Sequence, residues 1–322
     1  MPNKNLHTAQ HSLQGMLLAV TGFACLSIGD GVVKSMAGQI PGTEIALIRY
    51  AFGALGLAVA LLLTRGAKGF VCPKPLLQMV RGASVAAATF GFFMALQYMP
   101  LANANAIQFT SPMIAAVLSA LLLGERAPRA VWVATAIAFV GVLIVLRPQV
   151  FLLGWAAFYP LVAAVAMASL MIANRKAAAA APLLELQFLV AAIATPFLLL
   201  IATTLHLTGL SQFALKVPAG LVLLKCATVA VTATFSHWLI FMATQRATAA
   251  VVSPMMYVQL LVAIMIGYVF FNTVPTPIML LGAAIIIGAG LYLAFIQYQP
   301  THTAAQENEG AISTALSAGT PD

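Results

Sequence analysis

Asp30, in LSIGDGVVK, and Arg49, in EIALIRYAF, are ionisable residues set among apolar neighbours. An ionised side chain near the centre of a bilayer costs roughly 2.5–3.5 kcal/mol, so each needs a partner or a function. Arg49 can present a bidentate fork to a substrate carboxylate or phosphate, with Asp30 holding it or exchanging a coupling proton. The alternative is a buried ion pair that fixes a hairpin. Asn105, Gln108 and Pro112 follow at spacings of three and four, which is one face of a helix. Lipid satisfies neither amides nor the carbonyl that proline leaves free, so this face is expected to line a cavity, against the alternative of hydrogen bonds between helices. Pro254, Tyr257 and Gln259 offer similar chemistry later in the chain. Thr228, Thr232 and Ser236 form a hydroxyl stripe that fits helix packing, and His237 and Trp238 follow it. His237 has the titration range of a proton carrier. Phe90, Phe93, Tyr98, Trp155, Phe158 and Tyr159 supply aromatic surface, either for a planar substrate or as interfacial anchors.

These residue types are poor material for an enzyme. Aspartyl proteolysis needs two carboxylates at one site, and the only aspartates are Asp30 and Asp322. SIGD matches a membrane-protease GxGD loosely, with Ser27 where glycine belongs. No H-E-x-x-H helix, G-x-S-x-G elbow or phosphate-cradling G-x-x-x-x-G-K occurs. Cys25, Cys72 and Cys226 lack metal-ligand spacing, are odd in number, and read as packing residues. Neither a cofactor nor a metal is expected.

The elements that carry these residues are membrane spans. The chain is 62% hydrophobic and 7% charged, against about 45–50% apolar and about 25% charged in soluble domains. Apolar runs of the length that crosses about 30 Å of hydrocarbon recur at 14–34, 43–64, 76–98, 102–123, 129–146, 151–173, 183–205, 219–243, 249–271 and 277–297. The runs are unbroken rather than alternating, which favours helices over barrel strands. The expected architecture is an all-α integral membrane protein of ten helices. The first run reads as an uncleaved span after a polar tail at 1–12, and the polar end at 299–322 reads as disordered.

Ten basic residues, Lys4, Arg65, Lys68, Lys74, Arg81, Arg126, Arg129, Arg175, Lys176 and Arg246, fall on the side of the N-terminus. Five, Lys34, Arg49, Arg147, Lys216 and Lys225, fall opposite, which predicts both termini in the cytoplasm. The net charge of +8 is then a topological signal, and no nucleic-acid partner is needed to explain it. On this topology Asp30 and Arg49 lie at matched depth, about 8–9 Å below one surface, on neighbouring antiparallel helices, and can meet. Lys34 reads as snorkelling at the interface, and Glu44 and Glu185, each opening the second span of a half, as near-surface groups.

The chain also repeats itself. FMALQ, ending at Gln97, recurs as FMATQ, ending at Gln245, at an offset of 148 residues, so the third and eighth spans correspond. Pro128 and Pro275, and Gly141 and Gly288, agree with that offset within a residue, and Gly15 and Gly154 stand near the start of the two halves. Five spans per half invert the second half relative to the first, as in secondary transporters. Gln97 and Gln245 then fall at opposite mouths of one pathway, or simply end their helices.

The segment ALQYMPLANANAIQFTSPMIAAVLSALLLGERAP, from Ala95 to Pro128, and GVLIVLRP, from Gly141 to Pro148, resemble an EamA-type unit of the drug/metabolite transporter superfamily. The resemblance covers both halves, 13–148 and 151–298; the second departs from it in carrying Asn272 near the place of the terminal Glu. It implies ten spans, a central cavity, and movement of a small molecule across the inner membrane. A proton or other ion is the expected coupling partner, and the bilayer the other. Arg49 points to a carboxylate-bearing metabolite such as an amino acid or organic acid, carried by alternating access; an aromatic, cofactor-like or drug-like compound and a passive channel are the alternatives.

Overall fold

A computed structural model describes residues 3–123, 129–177, 180–246, 252–292 and 295, and every regular element among them is helical. In chain order these are α1 (Asn3–Lys34), α2 (Gly42–Arg65), α3 (Pro75–Tyr98), α4 (Leu101–Gln108), α5 (Ser111–Leu123) and α6 (Arg129–Leu153). The second half holds α7 (Tyr159–Ala177), α8 (Leu183–Leu207), α9 (Gly220–Thr244), α10 (Val258–Phe271) and α11 (Pro277–Tyr292). Glu125, the terminal Glu of the segment from Ala95 to Pro128, Pro128 itself, and the polar end at 299–322 lie outside the described residues.

Seven helices are long and apolar enough to cross a membrane, and shorter apolar helices stand at Trp132–Val145, Met255–Phe271 and Pro277–Tyr292. Two details differ from the sequence reading. Helix α1 begins at Asn3, ahead of its apolar part at Leu13, so the expected polar tail is largely helical. The fourth span is not continuous: α4 ends at Gln108, a turn follows at Phe109 and Thr110, and α5 begins at Ser111. The cause is Pro112, which has no N–H to give the Gln108 carbonyl and whose ring crowds it. The ninth span starts in the same manner, with a 3-10 turn at Ser253–Tyr257 that carries Pro254.

The halves embrace reciprocally. Helix α1 packs on α9 and α3 on α7; α1 also meets α10, as α5 meets α7; and α2 packs on α8. Exchanging the halves maps each pairing onto another in the set, the pattern that a two-fold axis between them generates. Glycine sets the closest crossings. A Cβ on Gly91 of α3 would lie 2.7 Å from the Tyr159 carbonyl of α7, and one on Gly22 of α1 would lie 3.1 Å from the Ser236 carbonyl of α9. The fifth helices meet likewise, where a Cβ on Gly282 would lie 2.8 Å from the Gly141 carbonyl. With no hydrophobic drive between helices in lipid, such close backbone packing and its dispersion energy hold the assembly.

The hydroxyl stripe on α9 serves this packing. Thr228, Thr232 and Ser236 each donate to a carbonyl of their own helix, at 2.9, 3.1 and 2.7 Å. Gly29 of α1 seats against the Thr232 hydroxyl, where a Cβ would come within 2.9 Å. The cysteines divide: Cys226 is buried with its Sγ 3.8 Å from the Met36 sulfur, Cys25 is half-buried, and Cys72 is exposed rather than packed.

Candidate functional site

A cavity of about 1480 Å³ lies between the halves. Its walls come from α1, α2, α3, α4, α5, α7, α8 and α9, with Met256, Tyr257 and Gln259 closing it from the ninth span. The lining runs from mid-helix to one set of helix ends, those marked by Arg81, Arg175, Leu183 and Thr244. The opposite ends are packed solid: Met36, Ile45, Leu96, Met99 and Leu101 are all buried there. The cavity is therefore open at one end only.

Asp30, Arg49 and Phe93 line it, as do Asn105, Gln108 and Pro112. His237, Trp238, Tyr257 and Gln259 complete the expected residues that it contains. Arg49 sits over two rings, 4.8 Å from the centroid of Tyr50 and 5.4 Å from that of Phe93. Each such contact contributes about 0.5–2 kcal/mol and leaves the guanidinium N–H groups as the donors for an oxyanion. No salt bridge or hydrogen bond joins Asp30 to Arg49 among the described residues, which corrects the expected direct pair. Matched depth put them on one cavity, where Arg49 lies over Tyr50 and Phe93. Its charge nonetheless acts on both Asp30 and His237 within the chamber.

The break between α4 and α5 brings unpaired amides to the wall. Asn105 is 3% exposed, and its Nδ2 and the Oε1 of Gln108 are buried without a hydrogen-bond partner. An orphaned buried donor or acceptor costs about 1–3 kcal/mol, so a polar ligand gains by meeting them. Beside them Phe109 and Tyr257 stand edge to face at 5.3 Å. Gly290 of α11 leaves room for that tyrosine, since a Cβ there would come 1.5 Å from its hydroxyl. Gln259 contributes its backbone as well, accepting from Ser27 Oγ at 3.0 Å.

Three expected site residues lie elsewhere. Gln97 accepts from the Gly38 amide at 3.0 Å, at the closed end, where Gly38 takes the left-handed φ of +80°. Tyr159 stacks on Tyr98 at 6.1 Å and meets Phe90 edge-on at 5.9 Å, outside the cavity. Gln245 is exposed just beyond α9, its amide closing the last turn on the Phe241 carbonyl. Gln97 and Gln245 end their helices, and neither lines the chamber.

Polar ties hold the closed end shut. Lys34, expected at the interface, donates from Nζ to the carbonyls of Leu96 and Met99 at 2.6 and 2.9 Å, which caps the C-terminus of α3. Glu44, in the first turn of α2, is buried and accepts from the Lys216 amide at 3.2 Å. Gly42 fits under α3, where a Cβ would lie 2.9 Å from the Phe93 carbonyl.

Arg81 is the residue that sequence reasoning passed over, counting it only as a topological charge. It is 5% exposed and lines the cavity near its open end. Its Nε donates to Asn174 Oδ1 at 2.7 Å, and Nη1 reaches Gln78 and the Leu186 carbonyl. Its place seven residues into an apolar helix was the available signal. Glu185 meets Arg65 at 3.8 Å at the same end.

A helical membrane protein whose halves enclose a one-ended cavity, with a few polar groups set in an apolar wall, belongs to the class of solute carriers. The EamA-like transporter family model matches the chain twice, at residues 13–147 and 154–296, and the chain belongs to that family. It is 28% identical over 287 residues to a pseudopaline exporter of Pseudomonas aeruginosa, covering 87% of this chain and 95% of that one. It is 29% identical over 304 residues to a riboflavin transporter of Vibrio cholerae, covering 92% and 97%. It is 22% identical over 283 residues to an S-adenosylmethionine uptake transporter of Rickettsia prowazekii, covering 88% and 93%. A solved structure at 20% identity shares the fold with a TM-score of 0.55, covering 89% of this chain and 97% of its own. The protein is a transporter of small metabolites and not an enzyme.

Proposed function

We propose that this transporter works by alternating access in the inner membrane, with both termini cytoplasmic, and carries a metabolite that bears a carboxylate. The halves at 13–148 and 151–298 act as inverted repeats that rock about the cavity. The single observation that carries the reading is a one-ended cavity with Arg49 laid over Tyr50 and Phe93 in its wall. A site closed at one end while open at the other fits a carrier better than a channel, which needs a continuous pore. On the topology of the basic residues the open end faces the cytoplasm.

Arg49 binds the substrate oxyanion, and Asn105 with Gln108 meets a second polar edge of the molecule. Asp30 and His237 are the groups placed to exchange a coupling proton or bind a coupling ion beside it. A second reading has a specific observation behind it. Phe93, Phe109, Tyr257 and Trp238 give the chamber an aromatic wall, which fits an aromatic or cofactor-like solute. The relatives named for riboflavin and S-adenosylmethionine lend it weight.

The test compares metabolites inside and outside cells that have the protein, lack it, or carry Arg49→Gln. A carboxylate-bearing compound that redistributes with the intact protein and not with Arg49→Gln supports the first reading. Redistribution of a compound without an anionic group, indifferent to Arg49→Gln, overturns it.

A further inference from the structure

Arg81 brings a second guanidinium to the cavity, and it is held without being neutralised. The residue is 5% exposed, yet its partners, Asn174, Gln78 and the Leu186 carbonyl, are all neutral. Buried charges are normally paired with an opposite charge. The three bonds fix Nε and Nη1 between α3, α7 and α8, and Nη2 of this wall residue has no partner among the described residues. Glu185, at the same end, meets Arg65 and is not part of the lining. Asp30 is the one carboxylate in the lining among the described residues, and it lies in the field of Arg49.

A single face of α3 joins the two arginines. Val85, Ala88, Thr89 and Phe92 line the cavity between Arg81 and Phe93, the ring beside Arg49. Arg81 and Phe93 stand twelve residues apart on this helix. At 1.5 Å per residue that sets the two charges about 18 Å apart, and both α3 side chains lean toward the same end, which preserves the offset. On α7, Met167 and Leu170 lie between Ala163, which meets Gly91, and Asn174, which meets Arg81. The stretch between the arginines is therefore apolar on two sides, and its one α3 hydroxyl, on Thr89, already donates to Tyr50 at 3.2 Å.

We propose that Arg81 is a second anion subsite and that the solute is an elongated dicarboxylate. Resting on the reading of Arg49 as a carboxylate site, this places one carboxylate on Arg49, the other on Arg81, and an apolar body along α3. With each carboxyl carbon about 4 Å from its guanidinium, the two carboxylates stand roughly 10 Å apart, the reach of a saturated diacid of about ten carbons. A single amino acid would leave Arg81 unused.

The test is titration calorimetry on the purified full chain in lipid nanodiscs. The probes are saturated α,ω-diacids from succinate to tetradecanedioate, each beside the ω-hydroxy acid of the same length. The diacids are expected to gain over the hydroxy acids as they lengthen and to peak near sebacate, about tenfold tighter, as one further charge-assisted contact gives. Asn174→Asp keeps the hydrogen bonds of Arg81 and sets a carboxylate against its charge. It should bring sebacate down to its hydroxy acid with no earlier thermal transition, a change that a merely structural Arg81 would not produce. Arg81→Gln should likewise remove the gain, and Asn174→Asp carries the test alone should Arg81→Gln fail to fold. Diacids that never out-bind their hydroxy acids, or a sebacate gain that Asn174→Asp leaves intact, overturn the second subsite. The carboxylate reading of Arg49 fails separately, on hydroxy-acid binding that Arg49→Gln leaves unchanged.

Discussion

Replacing Gly91 with alanine is expected to loosen the junction between the halves. The new Cβ would sit 2.7 Å from the Tyr159 carbonyl and 2.8 Å from the Ala163 amide nitrogen, both backbone atoms of α7. Ordinary contact begins near 3.4 Å, so α3 and α7 must part by about 0.7 Å along a crossing that no rotamer change can relieve. Overpacking of this kind costs about 1–3 kcal/mol. Gly53→Ala is the matched control, because nothing lies within 4 Å of its added Cβ and alanine favours a helix by about 0.5–1 kcal/mol. The assay is the fraction of each detergent-purified variant that stays monodisperse after heating across a temperature series. Gly91→Ala should fall apart at a clearly lower temperature than the parent, and Gly53→Ala at an equal or higher one. Equal behaviour of the two variants would refute backbone contact at Gly91 as the basis of the α3–α7 junction.

Because Asp30 and Arg49 share a cavity without an ion pair, so that only the field of the guanidinium reaches Asp30, a double-mutant cycle of Asp30→Asn and Arg49→Gln should give a coupling below about 1 kcal/mol, and a coupling of about 3 kcal/mol would restore the direct pair. Arg81→Leu strands the buried Gln78 oxygen and should destabilise the protein by about 1–3 kcal/mol, read as an earlier thermal transition. Gly290→Ala places a Cβ where the Tyr257 hydroxyl now lies, so it should lower both thermal stability and transport, and Tyr257→Leu in the same chain should recover stability without recovering transport. Transport is read here as redistribution of the metabolite that the cell comparison identifies.

What the sequence made legible follows from the physics of lipid. Apolar runs long enough to span must be helices, so the all-α architecture could be read directly, and FMALQ with FMATQ exposed the repeat. Polar side chains at mid-span had to face something other than lipid, which is why Asp30, Asn105, Gln108, His237 and Tyr257 all surface on the cavity. Helix rotation and pairing were not legible, because depth fixes height and not azimuth: Arg49 turned toward Phe93 rather than Asp30, and Gln97 toward Gly38 rather than the pathway. Residues near helix ends misled for a related reason. Lys34 and Arg81 look like interfacial charges in a linear reading, and only the approach of α1 to α3, and of α3 to α7, reveals the carbonyls and the amide that they serve.

The central claim is that the two ends of one cavity open in alternation, and paired distance measurements test it most directly. Spin labels at Lys176 and Thr244 report the open end, and labels at Gln39 and Gln212 report the closed end, all four exposed positions in the cysteine-free background. Pulsed dipolar spectra are recorded in lipid nanodiscs before and after adding a metabolite extract of the expressing cells. The account predicts that the extract moves the two pairs in opposite directions, one distance shortening as the other lengthens, in equal proportions of the population. Distances at both ends that stay fixed, or that lengthen together, would contradict it.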